Sequence, residues 1–483
     1  MFNNALIQQF RDIVGAENVF DSKADRICYS YDATKQSFLP DLVVRPGSTA
    51  DVSAVMKLAS ERNIPVYPRG AGSGLTGGAV PLFGGIALDM VRMNRIIEID
   101  ADNLTATVEP GLVVGEFQKK VEEMGLFYPP DPASNEFSTI GGNVAECAGG
   151  LRCLKYGVTR DYVLGLEVVL SNGDVINLGV RTLKSVTGYD MVRLFVGSEG
   201  TLGVFTKIIL RLIPLPERLK TCNAFFADTM DAARAIADII RNRVVPRTFE
   251  FMDRKTIECV ERYKNVNISE GKAAAFLLIE VDGIEASVEV EMKKIVDICT
   301  KNGAYKTQVA KDEKERELLW SLRKAVSPAL YQISPGGKIN EDVCVPRSKI
   351  PDMLSRVADI AARHQVTIVS FGHAGDGNIH MNVLVDFDKP EELKRGEEAI
   401  EEVFKATIEL GGTLSGEHGI GNTKAKFLHL ECGEEEIELM REVKELFDPK
   451  GILNPGKIFD PSKQRVLSSL KEIKEKVPQY DER

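Results

Sequence analysis

Pro68-Arg69-Gly70-Ala71-Gly72-Ser73-Gly74-Leu75-Thr76-Gly77-Gly78 is the stretch on which the reading of this chain turns. Ile64-Pro65-Val66-Tyr67, just before it, reads as a short strand. Five glycines in the nine residues 70–78 leave the backbone nearly bare. Such a run takes positive φ freely and brings its N–H groups against a ligand. Successive bare N–H groups make an anion-binding concavity, most often for phosphate. Gly72, Gly74 and Gly77 match the G-x-G-x-x-G dinucleotide fingerprint, which should open a helix. Here the run continues into Ala79-Val80-Pro81-Leu82-Phe83-Gly84-Gly85, and the next strand, Ile86–Asp89, follows with no crossover helix. The stretch therefore reads as a phosphate-cradling loop of a non-Rossmann kind. A plain glycine-rich turn is the bland alternative.

Working outward, Ser48-Thr49-Ala50-Asp51 starts a helix whose apolar face is Val52, Val55, Met56 and Ala59. Strands follow at Ile96–Ile99 and Thr105–Glu109, then a helix over Val113–Met124. The rigid Tyr128-Pro129-Pro130-Asp131-Pro132 leads to a second glycine block, Ser138–Asn143, closed by Ala148-Gly149-Gly150. Asn172-Gly173 between Val168–Leu170 and Val175–Asn177 is a hairpin signal. A third block, Gly197–Gly203, precedes the strand Val204–Leu212, and Pro214-Leu215-Pro216 marks a domain boundary. Beyond about Thr221 strands such as Ala275–Ile279 alternate with helices such as Asp231–Arg241 and Ala286–Thr300, an α+β domain with its own sheet. Helices over Glu397–Leu410 and Glu434–Phe447 come later, and the charged tail after Asp460 reads as a peripheral helix or a mobile segment.

The 483 residues suffice for two or three domains, and 43% hydrophobic content is ordinary for a globular chain. A net charge of −10 without a Lys/Arg cluster argues against nucleic acid. No apolar run approaches the ~18 residues of a membrane span. The N-terminus lacks the pattern of a signal peptide, so a cytoplasmic location is expected. The eight cysteines include no C-x-x-C pair, so neither an iron–sulfur cluster nor a zinc ribbon is expected.

Two polar segments carry chemistry. Ser370–Asn382 reads as strand, glycine turn, strand, with His373 and His380 near the mouth of a hairpin. Thr413–Gly421 places Glu417-His418 between glycines. Three of the five histidines fall in these segments. His373, His380 and Glu417 suit a His₂-carboxylate metal site with open positions, leaving His418 as a base. Histidines bonded to backbone are the alternative. Arg323, on a helix among apolar neighbours, is either a surface charge snorkelling past Trp320 or a clamp for a substrate carboxylate, which Lys338 could assist.

Together these segments resemble the vanillyl-alcohol oxidase / p-cresol methylhydroxylase family, within it the branch of D-2-hydroxyacid dehydrogenases. The resemblance spans about Asp41 to Phe459. It rests on eight ordered motifs: Arg69–Gly78, Pro130–Pro132, Gly141–Gly150, Tyr156–Asp161, Gly197–Gly203, Gly372–His380, Gly416–Gly421 and Asn454–Lys457. It implies an α+β chain, with a two-subdomain FAD-binding domain of the p-cresol methylhydroxylase type over 1–217 (core 38–217). A cap domain with an antiparallel sheet follows over 218–397, then a returning segment over 398–460 and a tail over 461–483. The flavin positions implied begin with Arg69, Gly70, Ala71, Gly72, Ser73, Gly74, Leu75 and Thr76. Pro130, Asp131, Ser138, Thr139, Gly141, Gly142, Asn143, Ala148, Gly149, Tyr156 and Gly157 follow, then Glu199, Gly200, Gly203, Val204 and Asn454. Ser73 and Gly74 stand where some relatives tether the flavin through a histidine, so the FAD should be non-covalent.

The resemblance also implies a divalent metal (Zn, Fe or Mn) on His373, His380 and Glu417, which leaves His418 as the natural catalytic base. Arg323, Ser327, Lys338 and Asn382 match the substrate side, Ser327 replacing a threonine of some relatives. The implied reaction is oxidation of a small D-2-hydroxy acid, glycolate or D-lactate. Its electrons would pass to an iron–sulfur subunit or an electron-transfer flavoprotein, through which the chain could sit at a membrane. A non-redox flavin enzyme of the alkylglycerone-phosphate synthase type and a catalytically silent flavin-binding subunit are the rival readings.

Overall fold

The computed structural model describes residues 2–34 and 36–459, so the tail after Asp460 lies outside the described residues. The chain forms two units. Of the described residues, one comprises those up to Ala148, Val158–Leu215 and those from His418 to Phe459; the other comprises Gly149–Gly157 and Pro216–Glu417. This division differs from contiguous domains at 217 and 397. Lys155 and Tyr156 pair with Asp282, which carries Gly149–Gly157 into the second unit. Cys344 and Thr413 exchange backbone hydrogen bonds, which holds the chain in that unit past 397.

Among the described residues the first unit has three sheets. Strands β1 (Val19–Phe20), β2 (Leu42–Val44), β3 (Val66–Arg69) and β4 (Ile86–Asp89) form one, in the order β1-β2-β4-β3. β3, β4 and β2 are parallel. The glycine loop joins β3 directly to β4, so no helix opens on it. Ser48 Oγ caps the helix Thr49–Arg62 by accepting from Asp51 N at 3.1 Å, and Val52, Val55, Met56 and Ala59 are buried against β2 and β4. A second, antiparallel sheet has the order β5-β6-β10-β8-β9, from β5 (Ile96–Asp100), β6 (Thr105–Val108), β8 (Val163–Val169), β9 (Val175–Gly179) and β10 (Val204–Arg211). The turn between β8 and β9 has Gly173 at φ +89° and Asp174 N donating to Asn172 Oδ1. β7 (Leu126–Phe127) and β11 (Ile213–Pro214) make a short third pair.

The second unit is built on a seven-stranded antiparallel sheet. Its strands are β12 (Arg218–Phe226), β13 (Thr248–Asp253), β14 (Ala275–Gly283), β15 (Ala304–Val309), β16 (Lys338–Cys344), β17 (Thr367–His373) and β18 (Asn378–Leu384), ordered β15-β12-β14-β13-β17-β18-β16. Residues directly opposite one another share a face of the sheet. Glu250 opposes His373, Met252 opposes Phe371, Phe371 opposes His380, and Asp342 opposes His380. One face therefore carries apolar and charged side chains together. The helices Arg254–Lys264, Glu313–Lys324 and Val326–Ile333 cover it, burying Met252, Phe276, Leu278, Leu319, Trp320 and Leu322 in one cluster.

Candidate active site

In the first unit the glycine loop is strapped by the returning C-terminal segment. Thr76 O accepts from Asn422 N at 2.9 Å, and Thr76 Oγ1 donates to His418 O at 3.4 Å. Gly77 lies at φ +74°, and a Cβ there would run into the side-chain amide of Asn422. Leu453 bridges to Val66 and so covers the outer edge of β3. Asn454 Nδ2 donates to Gly78 O and Glu199 O, while Glu199 accepts from Ile420 N and Gly421 N at 2.8 and 2.7 Å. Arg69 is buried, and its Nη2 donates to Tyr31 O at 2.8 Å. These three flavin candidates thus brace the loop. Tyr156 is placed in the second unit, its hydroxyl donating to Asp282 at 2.8 Å.

The second glycine block is partly helical: Ile140–Glu146 starts on Thr139, whose Oγ1 accepts from Gly142 N. Ser138 Oγ and Asn143 Nδ2 in this block, and Ser198 Oγ in the third, are buried without a hydrogen-bonding partner. Buried donors of that kind need an acceptor. Three of them beside bare glycine backbone fit an acceptor-rich diphosphate ligand such as FAD. Sequence reading missed Glu146, whose Oε2 is also buried and unpartnered. Burial and the neighbouring Glu199 push its carboxyl well above the usual range.

In the second unit the hairpin β17–β18 delivers His373 and His380, and the loop after Thr413 delivers Glu417. His373 Nε2 and His380 Nε2 lie 3.3 Å apart, and Glu417 Oε1 lies 3.5 and 3.4 Å from them. A separation of about 3.4 Å is the ligand–ligand edge of a tetrahedron with bonds of about 2.1 Å, so the triangle fits a divalent metal with one position open. Both histidines are buried. The rings stand at 89° to each other.

Two acidic residues that sequence reading missed hold this triangle. Glu250, fully buried, accepts from His373 Nδ1 at 2.5 Å and from Arg323 Nε at 2.7 Å. Asp342, also fully buried, accepts from Gly416 N and Glu417 N, each at 2.7 Å, and from Ser415 Oγ at 3.0 Å. Burial alone would lower the His373 pKa, but the carboxylates of Glu250 and Glu417 raise it well above its usual value. Burial would raise Glu250, and the charges of His373 and Arg323 overcome that and hold it below the usual range. Glu250 left a signal, an isolated charge between Phe249 and Phe251; Asp342, in the polar run Asn340-Glu341-Asp342, left none.

Arg323 lies on Glu313–Lys324 with its guanidinium 4.7 Å over the Phe371 ring. Its Nε is committed to Glu250, leaving the two terminal nitrogens for a ligand. Lys338, the first residue of β16, donates to Asn382 Oδ1 at 2.6 Å. That bond fixes the amide, and Asn382 Nδ2 is left as a buried donor without a partner. The structure thus brings His373, His380 and Glu417 together with Arg323, and Lys338 with Asn382. His418, next in the chain after Glu417, belongs to the first unit.

The fold is shared with flavoprotein structures of the p-cresol methylhydroxylase type. p-Cresol methylhydroxylase with substrate bound superposes with a TM-score of 0.78 over 95% of this chain and 98% of that one, at 21% identity. Alkyldihydroxyacetonephosphate synthase gives 0.74 at 19% identity, covering 94% of this chain and 85% of that one. Residues 40–179 match the family model of the FAD binding domain, and 215–458 that of the C-terminal domain of FAD linked oxidases. The chain belongs to the FAD-linked oxidase family and is an FAD-linked oxidoreductase. It is 46% identical to the glycolate oxidase subunit GlcD of Bacillus subtilis (strain 168), over 97% of this chain and all of that one. It is 36% identical to the D-lactate dehydrogenase of Anaerostipes hadrus, over 87% of this chain and 89% of that one.

Proposed function

We propose that this chain oxidises a small D-2-hydroxy acid, glycolate or D-lactate, to the 2-oxo acid, with a divalent metal on His373, His380 and Glu417. The observation that carries this reading is the triangle of ligand atoms 3.3–3.5 Å apart, its two histidines buried, with Arg323 of the helix Glu313–Lys324 tied to the same cluster through Glu250. The relatives named for glycolate and D-lactate support it. FAD, held without a covalent link by the glycine blocks, supplies the two-electron acceptor for the hydride leaving Cα. The metal supplies Lewis acidity that eases loss of the hydroxyl proton.

This chain's residues do the rest. The terminal nitrogens of Arg323 pair with the substrate carboxylate, and Asn382 Nδ2 donates to a substrate oxygen. Lys338 holds that amide in place. His418 takes the proton from the hydroxyl oxygen, a task for which imidazole is suited near neutral pH. The electrons then leave to a separate protein, an iron–sulfur subunit or an electron-transfer flavoprotein. A panel of D- and L-2-hydroxy acids with a dye acceptor tests the reading. Dye reduction by D-lactate or glycolate, lost after chelation and restored by metal, is expected. Full activity of metal-free protein, or no activity with any hydroxy acid, would overturn it.

A further inference from the structure

We propose that Glu250 is a positioning residue. Its carboxylate sets the tautomer and orientation of His373 for the metal and at the same time fixes Arg323 for the substrate. The inference rests on the reading that His373, His380 and Glu417 hold a divalent cation.

The geometry is specific. Glu250 is the central residue of a hydrophobic stretch, Phe249-Glu250-Phe251, and is fully buried. It lies directly opposite His373 in the β13–β17 ladder. A buried carboxylate is costly unless its oxygens are satisfied. Here each oxygen has one partner: Oε1 faces His373 Nδ1 at 2.5 Å, and Oε2 faces Arg323 Nε at 2.7 Å. An acceptor at Nδ1 places the ring proton there and leaves the Nε2 lone pair for a metal. Nε2 is the atom that faces His380 and Glu417.

The same carboxylate keeps the Arg323 guanidinium over Phe371. Arg323 Nε can only donate, and His373 Nδ1 must donate once Nε2 is given to a metal, so the bridging residue must accept twice. Glutamate does; glutamine cannot. Its one carbonyl would satisfy either His373 or Arg323, and its NH₂ would meet the other donor head on. Position 250 therefore requires the charge as well as the shape. One side chain, 123 residues from His373 and 73 from Arg323 in sequence, joins the metal side of the site to the carboxylate side.

The test uses the full-length, FAD-loaded protein stripped of metal and titrated with zinc alone against a chromophoric chelator. Wild type should bind one zinc, and His373→Ala should abolish it. Glu250→Gln should bind zinc about 10- to 100-fold more weakly, the range for loss of an outer-shell partner. Glu250→Asp, which keeps the charge but shortens the reach, should fall between the two and stands in if the glutamine variant does not fold. A thermal melt without metal separates this effect from loss of fold. Zinc binding by Glu250→Gln and Glu250→Asp equal to wild type, with His373→Ala dead, would overturn the inference and leave the metal site standing. Zinc binding unaffected by His373→Ala would overturn the metal site and the inference with it.

Discussion

At the scale of single residues, the site is held by two buried carboxylates, Glu250 and Asp342, each with more than one partner. Arg323 meets the first of them with its Nε while its far edge stays available. A charge-assisted bond to a substrate carboxylate in a dry pocket is worth roughly 1.5–3 kcal/mol, or ~10- to 150-fold. Arg323→Met should therefore lower kcat/KM for a hydroxy acid by at least about tenfold, measured with a dye acceptor. An unchanged kcat/KM would reduce Arg323 to a brace for Glu250. The histidines were legible because the chain has five and three fall in two glycine-flanked segments. Glu250 and Asp342 were not: a lone acid between two phenylalanines and an acid within the polar run Asn340-Glu341-Asp342 obey no spacing rule. Asp342 meets Glu417 N only across 75 residues of chain, which no local pattern encodes.

At the scale of elements, turns and loops decide more than strands do. β4 and the helix Glu434–Phe447 coincide with the stretches read from periodicity, because punctuation bounds both ends. The helix expected over Glu397–Leu410 instead runs Pro390–Glu409, its first turns hidden by a charged run and opened by a proline at the start. The glycine loop has no periodicity, yet its conformation is exacting. Gly77→Ala should weaken FAD binding at least tenfold by fluorescence titration. A side chain at φ +74° costs about 1–2 kcal/mol before any clash with Asn422 is counted. Equal FAD affinity would show that the loop tolerates rearrangement.

The turn between β17 and β18 makes a pH prediction. Burial raises the Asp376 carboxyl to about 6 from the ordinary 3.8, although the His373 charge opposes the shift. The folded state then holds a proton that the unfolded chain has released, so stability is lost as pH rises from about 4 through about 6. Two pKa units are worth about 3 kcal/mol, an upper bound here. In chelator-treated protein, Asp376→Asn should gain stability relative to wild type between pH 4.5 and pH 8, read from urea midpoints. A pH-independent difference would contradict it.

At the scale of the whole molecule, the two-part α+β architecture was legible from glycine density and the proline boundary, but its interleaving was not. Gly149–Gly157 joins the second unit through Lys155, whose partner Asp282 lies 127 residues on. Under the proposed function, substrate electrons need a separate acceptor, since the sequence has neither a C-x-x-C pair nor an NAD-type βαβ fingerprint. The purified chain should reduce dyes readily, leave NAD untouched and turn over slowly with oxygen. Rapid stoichiometric peroxide formation would make it a self-sufficient oxidase instead. The strap across the glycine loop also imposes a timetable on the ribosome. Asn454 closes on Gly78 from 376 residues downstream. At about 5–20 residues per second, the nascent flavin loop waits roughly 20–75 s for the segment that locks it. Through that interval the entire second unit emerges first, so cofactor capture belongs after chain release, and a chain halted before residue 418 should leave the ribosome without its flavin.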